Sequence, residues 1–115
     1  MRKTGPVYCF GHFQLDAGEQ VLFCDASPLH LSPKALLVLQ VLLENAGHVV
    51  EKDEALQLCW PDSFVEEANL AQTIFVLRQT LGECGDHLEY IQTVHRRGYR
   101  FVVPVLVKEP LGTSF

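Results

Sequence analysis

The sequence predicts one α+β domain in which short strands come first, three helices follow and a β-hairpin closes the chain. Three observations lead there. Between Tyr8 and Leu31, Tyr8-Cys9-Phe10, Phe13-Gln14-Leu15 and Val21-Leu22-Phe23-Cys24 alternate or run apolar, and Gly11, Asp16-Ala17-Gly18 and Asp25-Ala26-Ser27-Pro28 break them. Leu70, Ile74, Leu77 and Leu81 recur at helical spacing and draw one apolar stripe. Strand formers from Leu88 to Val94 and from Tyr99 to Val103 flank the turn His95-Arg96-Arg97-Gly98.

The helices follow from their own signals. Ser32-Pro33 supplies an N-cap and a proline at the first helical position, and Leu36, Leu37, Leu39, Leu42 and Leu43 continue through Glu44 to a stop at Gly47. So many leucines predict a helix buried on more than one side. Val49-Val50 reads as a short extended link. A second helix is expected from Lys52 to Cys59 or Trp60, with Ala55, Leu56 and Cys59 inward, ended by Pro61. Trp60 is expected at or near the core. Residues 60–66 form a connector longer than a tight helix–helix turn, and Ser63-x-x-Glu66 there could be a capping box. The third helix, about 67–82, ends at Gly82, and Glu83 to His87 is read as a polar turn. One domain is expected over 8–105, after a tail at 1–7; 106–115 reads as a tail or the start of a linker.

Composition narrows the function. Of 115 residues, 48% are apolar, which predicts a packed core rather than disorder. No apolar run is long enough for a membrane span or a signal peptide, so a soluble cytoplasmic protein is expected. Cys9, Cys24, Cys59 and Cys84 lie far apart, and the five histidines show no ligand-like spacing around them. That argues against a zinc site and against a disulfide framework, and Cys9, Cys24 and Cys59 read as small core residues. No phosphate loop, nucleophile elbow or His-Glu-x-x-His motif occurs, so neither an enzyme nor a cofactor is expected. The paired acids Asp53-Glu54 and Glu66-Glu67 suit helix starts, where carboxylates meet the dipole.

The net charge of −5 sits uneasily with a nucleic-acid partner, but its distribution does not. Residues 32–66 carry two lysines against six acids, whereas 90–103 carry Arg96, Arg97 and Arg100 and no acid. A helix with a polar outward side followed by an Arg-rich hairpin suits a protein that lays one helix in a DNA groove and grips the adjacent backbone. Asn69 and Gln72 are candidates for reading bases, because an amide pairs bidentately with adenine; Thr73 could touch a phosphate or a thymine methyl. Arg78, at the helix flank, could reach a phosphate or pair with a second-helix acid such as Glu54. Phe75 and Val76 point outward where a cation would be useful. They suit either thymine methyls or a protein contact. Arg100 alternates with Tyr99 and Phe101 and faces away from them.

Leu77-Arg78-x-x-Leu81, then Tyr90-Ile91-x-Thr93-Val94-x-x-x-Gly98-Tyr99-Arg100-Phe101, resembles the OmpR/PhoB-type winged-helix DNA-binding domain, and the agreement runs from about Tyr8 to Val105. The resemblance implies a winged helix-turn-helix with an N-terminal four-stranded antiparallel meander, three helices and a C-terminal β-hairpin wing. It implies sequence-specific binding of double-stranded DNA by a bacterial transcriptional regulator, with the third helix in the major groove and the wing (95–98) at the minor groove. The DNA-contacting set so implied is Asn69, Gln72, Thr73, Val76, Arg78, Arg96, Arg97 and Tyr99. In some members the 60–66 loop touches RNA polymerase, and the isolated domain is expected to be a monomer that occupies tandem sites on DNA. Met1 lies just before the first strand, so the domain is expected to come first in a one-component regulator. The rival reading is a winged helix used as a protein-interaction module, favoured by the acidic charge and Phe75-Val76.

Overall fold

A computed structural model describes residues 5–84 and 89–108. Chain order is β1 (Val7–Phe10), β2 (Phe13–Asp16), β3 (Val21–Cys24), β4 (Ser27–Leu29), α1 (Pro33–Glu44), β5 (Val49–Glu51), α2 (Lys52–Cys59), α3 (Glu67–Glu83), β6 (Ile91–Val94), β7 (Gly98–Phe101) and β8 (Leu106–Lys108). The meander, the three helices and the hairpin are all present.

Alternation builds the meander. Tyr8 and Phe10, Phe13 and Leu15, and Leu22 and Cys24 are buried, and their strand neighbours face out. The β3–β4 turn pairs Cys24 with Ser27 and holds Asp25 and Ala26 at φ 49° and 71°, the left-handed pair that matches hairpin twist. Two strands exceed the expected set. Leu106–Lys108 pairs antiparallel with β1 and makes the sheet five-stranded, in the order β4-β3-β2-β1-β8. Residues 106–108, expected as tail, therefore belong to the fold, and 109–115 lie outside the described residues. Val49–Glu51, expected as a link, pairs with β7 and completes a second sheet, β5-β7-β6. Leu88 lies outside the described residues, and the hairpin's first strand begins at Ile91.

Ser32 caps α1 by accepting a hydrogen bond from the Ala35 N–H at 3.1 Å. The helix buries Ala35, Leu36, Val38, Leu39, Val41, Leu42 and Leu43, the two-sided burial its leucines predict. Glu66 caps α3 without a side-chain bond, and Ser63 lies in a turn, so the Ser63–Glu66 capping box does not form. Nor does Gly82 end α3, which runs on through Glu83 to Cys84 as C-cap. Trp60 is half-buried beneath the Lys34 ammonium, 5.2 Å from the ring centre, while Lys34 Nζ donates to the Cys59 carbonyl.

The two sheets share one core. Phe10 stacks on Phe13 with centroids 5.4 Å apart and meets Phe101 edge-on at 5.1 Å; Phe13 meets Tyr90 at 5.5 Å. Cys59 is wholly buried, and Cys9 is half-buried and free. Cys24 is a core residue as expected, but the expectation of no disulfide pairing does not hold for it. Its sulfur lies within bonding distance of Cys84 Sγ, with the Cα atoms 6.4 Å apart. Sixty residues separate the two in sequence, so only the packed fold brings them together.

Candidate nucleic-acid interface

The position of α3 is fixed from below. Leu70, Ile74, Leu77 and Leu81 are each at most 1% exposed, packed chiefly on α1 with α2 alongside. Truncating any one to alanine removes core volume at a cost of about 2–5 kcal/mol. With that stripe held, Asn69, Gln72, Phe75 and Gln79 are exposed on the outer side, and Thr73 and Val76 are partly covered. Thr73 Oγ1 donates to the Asn69 carbonyl one turn back at 2.9 Å, so the hydroxyl is partly committed within the helix. Phe75 keeps 56% of its surface exposed.

The wing is held by backbone and charge. In β7, Gly98 lies against β5 so closely that a Cβ there would stand 2.0 Å from the Val50 carbonyl oxygen. Lys52 N–H donates to the Arg97 carbonyl at 2.9 Å, which ties the tip to the start of α2. Lys52 Nζ lies 2.9 Å from a Glu67 carboxylate oxygen and links the starts of α2 and α3; that hydrogen bond, above all, raises the Lys52 pKa. Arg100 donates through Nε and Nη2 to Gln92 Oε1 at 3.0 and 2.7 Å, on the strand face opposite Tyr99 and Phe101.

The implied contact residues fall into three groups. Asn69, Gln72, Thr73 and Val76 share the outer region of α3. Arg96 and Arg97 stand exposed at the wing tip, Arg96 in left-handed backbone at φ 63°. Among the described residues Arg96 makes no ion pair, while Arg97 Nη2 lies 2.7 Å from Glu51 Oε2. Arg78 and Tyr99 are both engaged within the domain. Arg78 faces neither open solvent alone nor Glu54: its Nε and Nη2 donate to the Ile91 carbonyl at 3.3 and 2.9 Å, and Nη2 donates to Thr93 Oγ1 at 2.8 Å. Its guanidinium lies 6.0 Å from the Tyr99 ring centre. Tyr99 itself is only 9% exposed, because it shares the inward side of β7 with Phe101. In the free domain the Arg78 guanidinium thus links α3 to the hairpin, with the Tyr99 ring beside it.

Two features were not assigned from sequence. Glu51 places a carboxylate on Arg97, a pairing set by the β5–β7 register that aligns Glu51 with Gly98. Phe64 is fully exposed in the connector and helps line a groove with Leu56, Trp60 and Val65. An aromatic residue between Pro61 and Glu66 with no periodic partner was its only sequence signal.

The family described as "Transcriptional regulatory protein, C terminal" matches residues 26–101. The transcriptional regulator HilA of Salmonella typhimurium is 42% identical over 82 residues, covering 71% of this chain and 15% of HilA. The DNA-binding domain of Escherichia coli CadC superposes with a TM-score of 0.80 at 28% identity, over 90% of this chain and 97% of that domain. DrrB of Thermotoga maritima, a response regulator and OmpR/PhoB homologue, gives 0.75 at 29% identity, over 84% of this chain and 44% of that one. This chain thus spans only a small part of the length of HilA. No helix among the described residues is long and apolar enough to cross a membrane. The matched family, the superposed domains and the helix-and-wing geometry agree: the chain belongs to the transcriptional regulatory protein C-terminal family, the OmpR/PhoB-type winged-helix domains.

Proposed function

We propose that this domain reads double-stranded DNA for a bacterial transcriptional regulator in the cytoplasm, and that its mechanism is binding without catalysis. The observation that carries the reading is a buried leucine–isoleucine stripe that presents Asn69 and Gln72 outward beside a wing whose Arg96 is uncompensated among the described residues. In the major groove, Asn69 and Gln72 meet base edges, Val76 packs on thymine methyls and Thr73 lies at the margin. Arg96 and Arg97 enter or straddle the minor groove, where the potential is negative. Arg78 and Tyr99 act indirectly, by fixing the angle between helix and wing. The domain is monomeric alone and occupies tandem sites.

The test compares Gln72→Ala with the double variant Arg96→Ala/Arg97→Ala, on the preferred site and on scrambled duplex at one salt concentration. Loss of an amide–adenine pair costs about 1–3 kcal/mol at the preferred site and little elsewhere, whereas the wing variant weakens both duplexes alike. If Gln72→Ala lowers neither affinity and the wing variant is silent too, the DNA reading fails.

A protein contact has its own support. Phe64 stands fully exposed on the 60–66 connector, lining a groove with Leu56, Trp60 and Val65 that includes none of the residues assigned to DNA. We assign that loop to a protein surface, RNA polymerase in the regulator reading. Phe64→Ala is expected to leave DNA affinity unchanged and to lower transcription from a bound promoter. The rival reading, a winged helix that binds protein in place of DNA, rests on exposed Phe75 and the net charge of −5.

A further inference from the structure

We propose that Cys24 and Cys84 form a reversible disulfide clasp that ties the C-terminal end of α3 to the meander and adds stability without altering the DNA-reading residues. The placement carries the proposal. Cys24 ends β3 and is 5% exposed, and Cys84 is the C-cap of α3 and half-buried. Their Cα atoms are 6.4 Å apart, inside the span a disulfide bridges without backbone movement. The loop the bond would close is 60 residues long, so it removes much of the freedom of the unfolded chain. Gln72 lies twelve residues before Cys84 along the same rigid helix, about 18 Å away at 1.5 Å per residue. The Leu70–Leu81 stripe already holds α3 on the core, so closing the clasp leaves its outer side where it was.

The oxidant is a low-molecular-weight disulfide such as oxidised glutathione. The more exposed Cys84, as thiolate, attacks one sulfur of the reagent, breaks its S–S bond and releases one thiolate. Cys24, as thiolate, then attacks the Cys84 sulfur of that mixed disulfide and releases the second. One S–S bond is broken and one formed, and the protons of the two cysteines end on the two released thiols. Excess dithiol reverses both steps.

The experiment uses the full chain with Cys9→Ser, which removes the half-exposed thiol on β1 and with it cross-links between molecules. After exposure to oxidised glutathione, thiols counted in denaturant should fall from three to one, leaving Cys59. Cleavage after glutamates separates the Cys24, Cys59 and Cys84 peptides and should recover Cys24 joined to Cys84. The thermal midpoint should rise by roughly 5–15 °C and return with dithiothreitol. Adding Cys84→Ala should abolish both the thiol loss and the rise. DNA affinity should agree between the two states within about two-fold. Three thiols persisting after oxidation would overturn the proposal. So would one zinc ion per chain copurifying with both thiols, which would make Cys24, Asp25 and Cys84 a metal site instead. A tenfold loss of DNA affinity on oxidation would overturn the claim that the reading residues are untouched.

Discussion

Glu51 holds Arg97: the carboxylate and guanidinium meet at 2.7 Å across the wing sheet, both side chains about half exposed. The pair contributes little to stability at that exposure, of order 0–1 kcal/mol. In the proposed wing contact with DNA its effect is larger, since the carboxylate would offset one of two tip cations and repel phosphate. Glu51→Gln is therefore expected to tighten binding to any duplex, operator or scrambled, and to steepen log affinity against log salt by about one phosphate equivalent. The starting slope should correspond to about three to five phosphates. An unchanged affinity and slope would remove Arg97 from the contact surface.

Gly98 sets the wing's geometry through space. With Val50 O at 2.0 Å from the place a Cβ would occupy, Gly98→Ala must push β5 and β7 apart. The cost is about 1–3 kcal/mol, as for other overpacked sites. A lower thermal midpoint should come with faster amide exchange at Val50, Glu51 and Gly98, while amides of the meander stay protected. Wild-type exchange at those three positions would show that the strands absorb the methyl group.

How far the sequence revealed this molecule depended on the range of each interaction. The third-helix stripe was readable because four residues repeat one turn apart and all four are buried. Ser32 was readable because its partner, Ala35, is three residues away. Val49–Glu51 buries only Val50 and was too short to show a period, and Leu106–Lys108 pairs at an edge with all three residues exposed, so it carries no burial pattern. Arg78 finds Ile91 thirteen residues on, Arg97 finds Glu51 forty-six away and Cys24 finds Cys84 sixty away. No local spacing encodes those pairs. Tyr99 differs, since its alternation with Arg100 was readable, while the packed fold alone shows that the side it shares with Phe101 faces inward.

Three groups make stability fall at alkaline pH. Burial pushes the Cys59 thiol above its ordinary 9.0; burial, then the Glu44 carboxylate, pushes Tyr8 above 10.0; the Glu67 hydrogen bond leads in pushing Lys52 above 10.5. In each case the folded protein keeps its proton after the unfolded chain has begun to lose it. The unfolded state then binds fewer protons, and unfolding becomes easier as pH rises. The contribution is complete below about pH 9 and shrinks above it, first through Cys59, then Tyr8, then Lys52. Urea midpoints at fixed redox state should be level from neutral pH to about pH 9 and decline above that. Tyr8→Phe should make that decline shallower between pH 10 and 11. A level profile to pH 11 would contradict all three shifts.

Arg78 decides between a phosphate contact and a brace. Three hydrogen bonds to Ile91 and Thr93, with Tyr99 beneath, commit the guanidinium to the hairpin. Arg78→Ala leaves the Ile91 carbonyl without that donor pair and frees the hairpin from α3. Charged hydrogen bonds of this kind are worth about 1.5–3 kcal/mol, discounted here because the side chain is exposed, so a loss of about 1–2 kcal/mol is expected. Arg78→Lys should recover little, since one ammonium cannot place forked donors on both acceptors. The two roles leave different signatures. A brace lowers the thermal midpoint without DNA and weakens binding with the salt slope unchanged, because the cation lost was not displacing a counterion. A phosphate ligand leaves the midpoint alone and reduces the slope by about one. The bonding in the free domain favours the first outcome, and a reduced slope at constant midpoint would show that Arg78 releases the hairpin when DNA arrives.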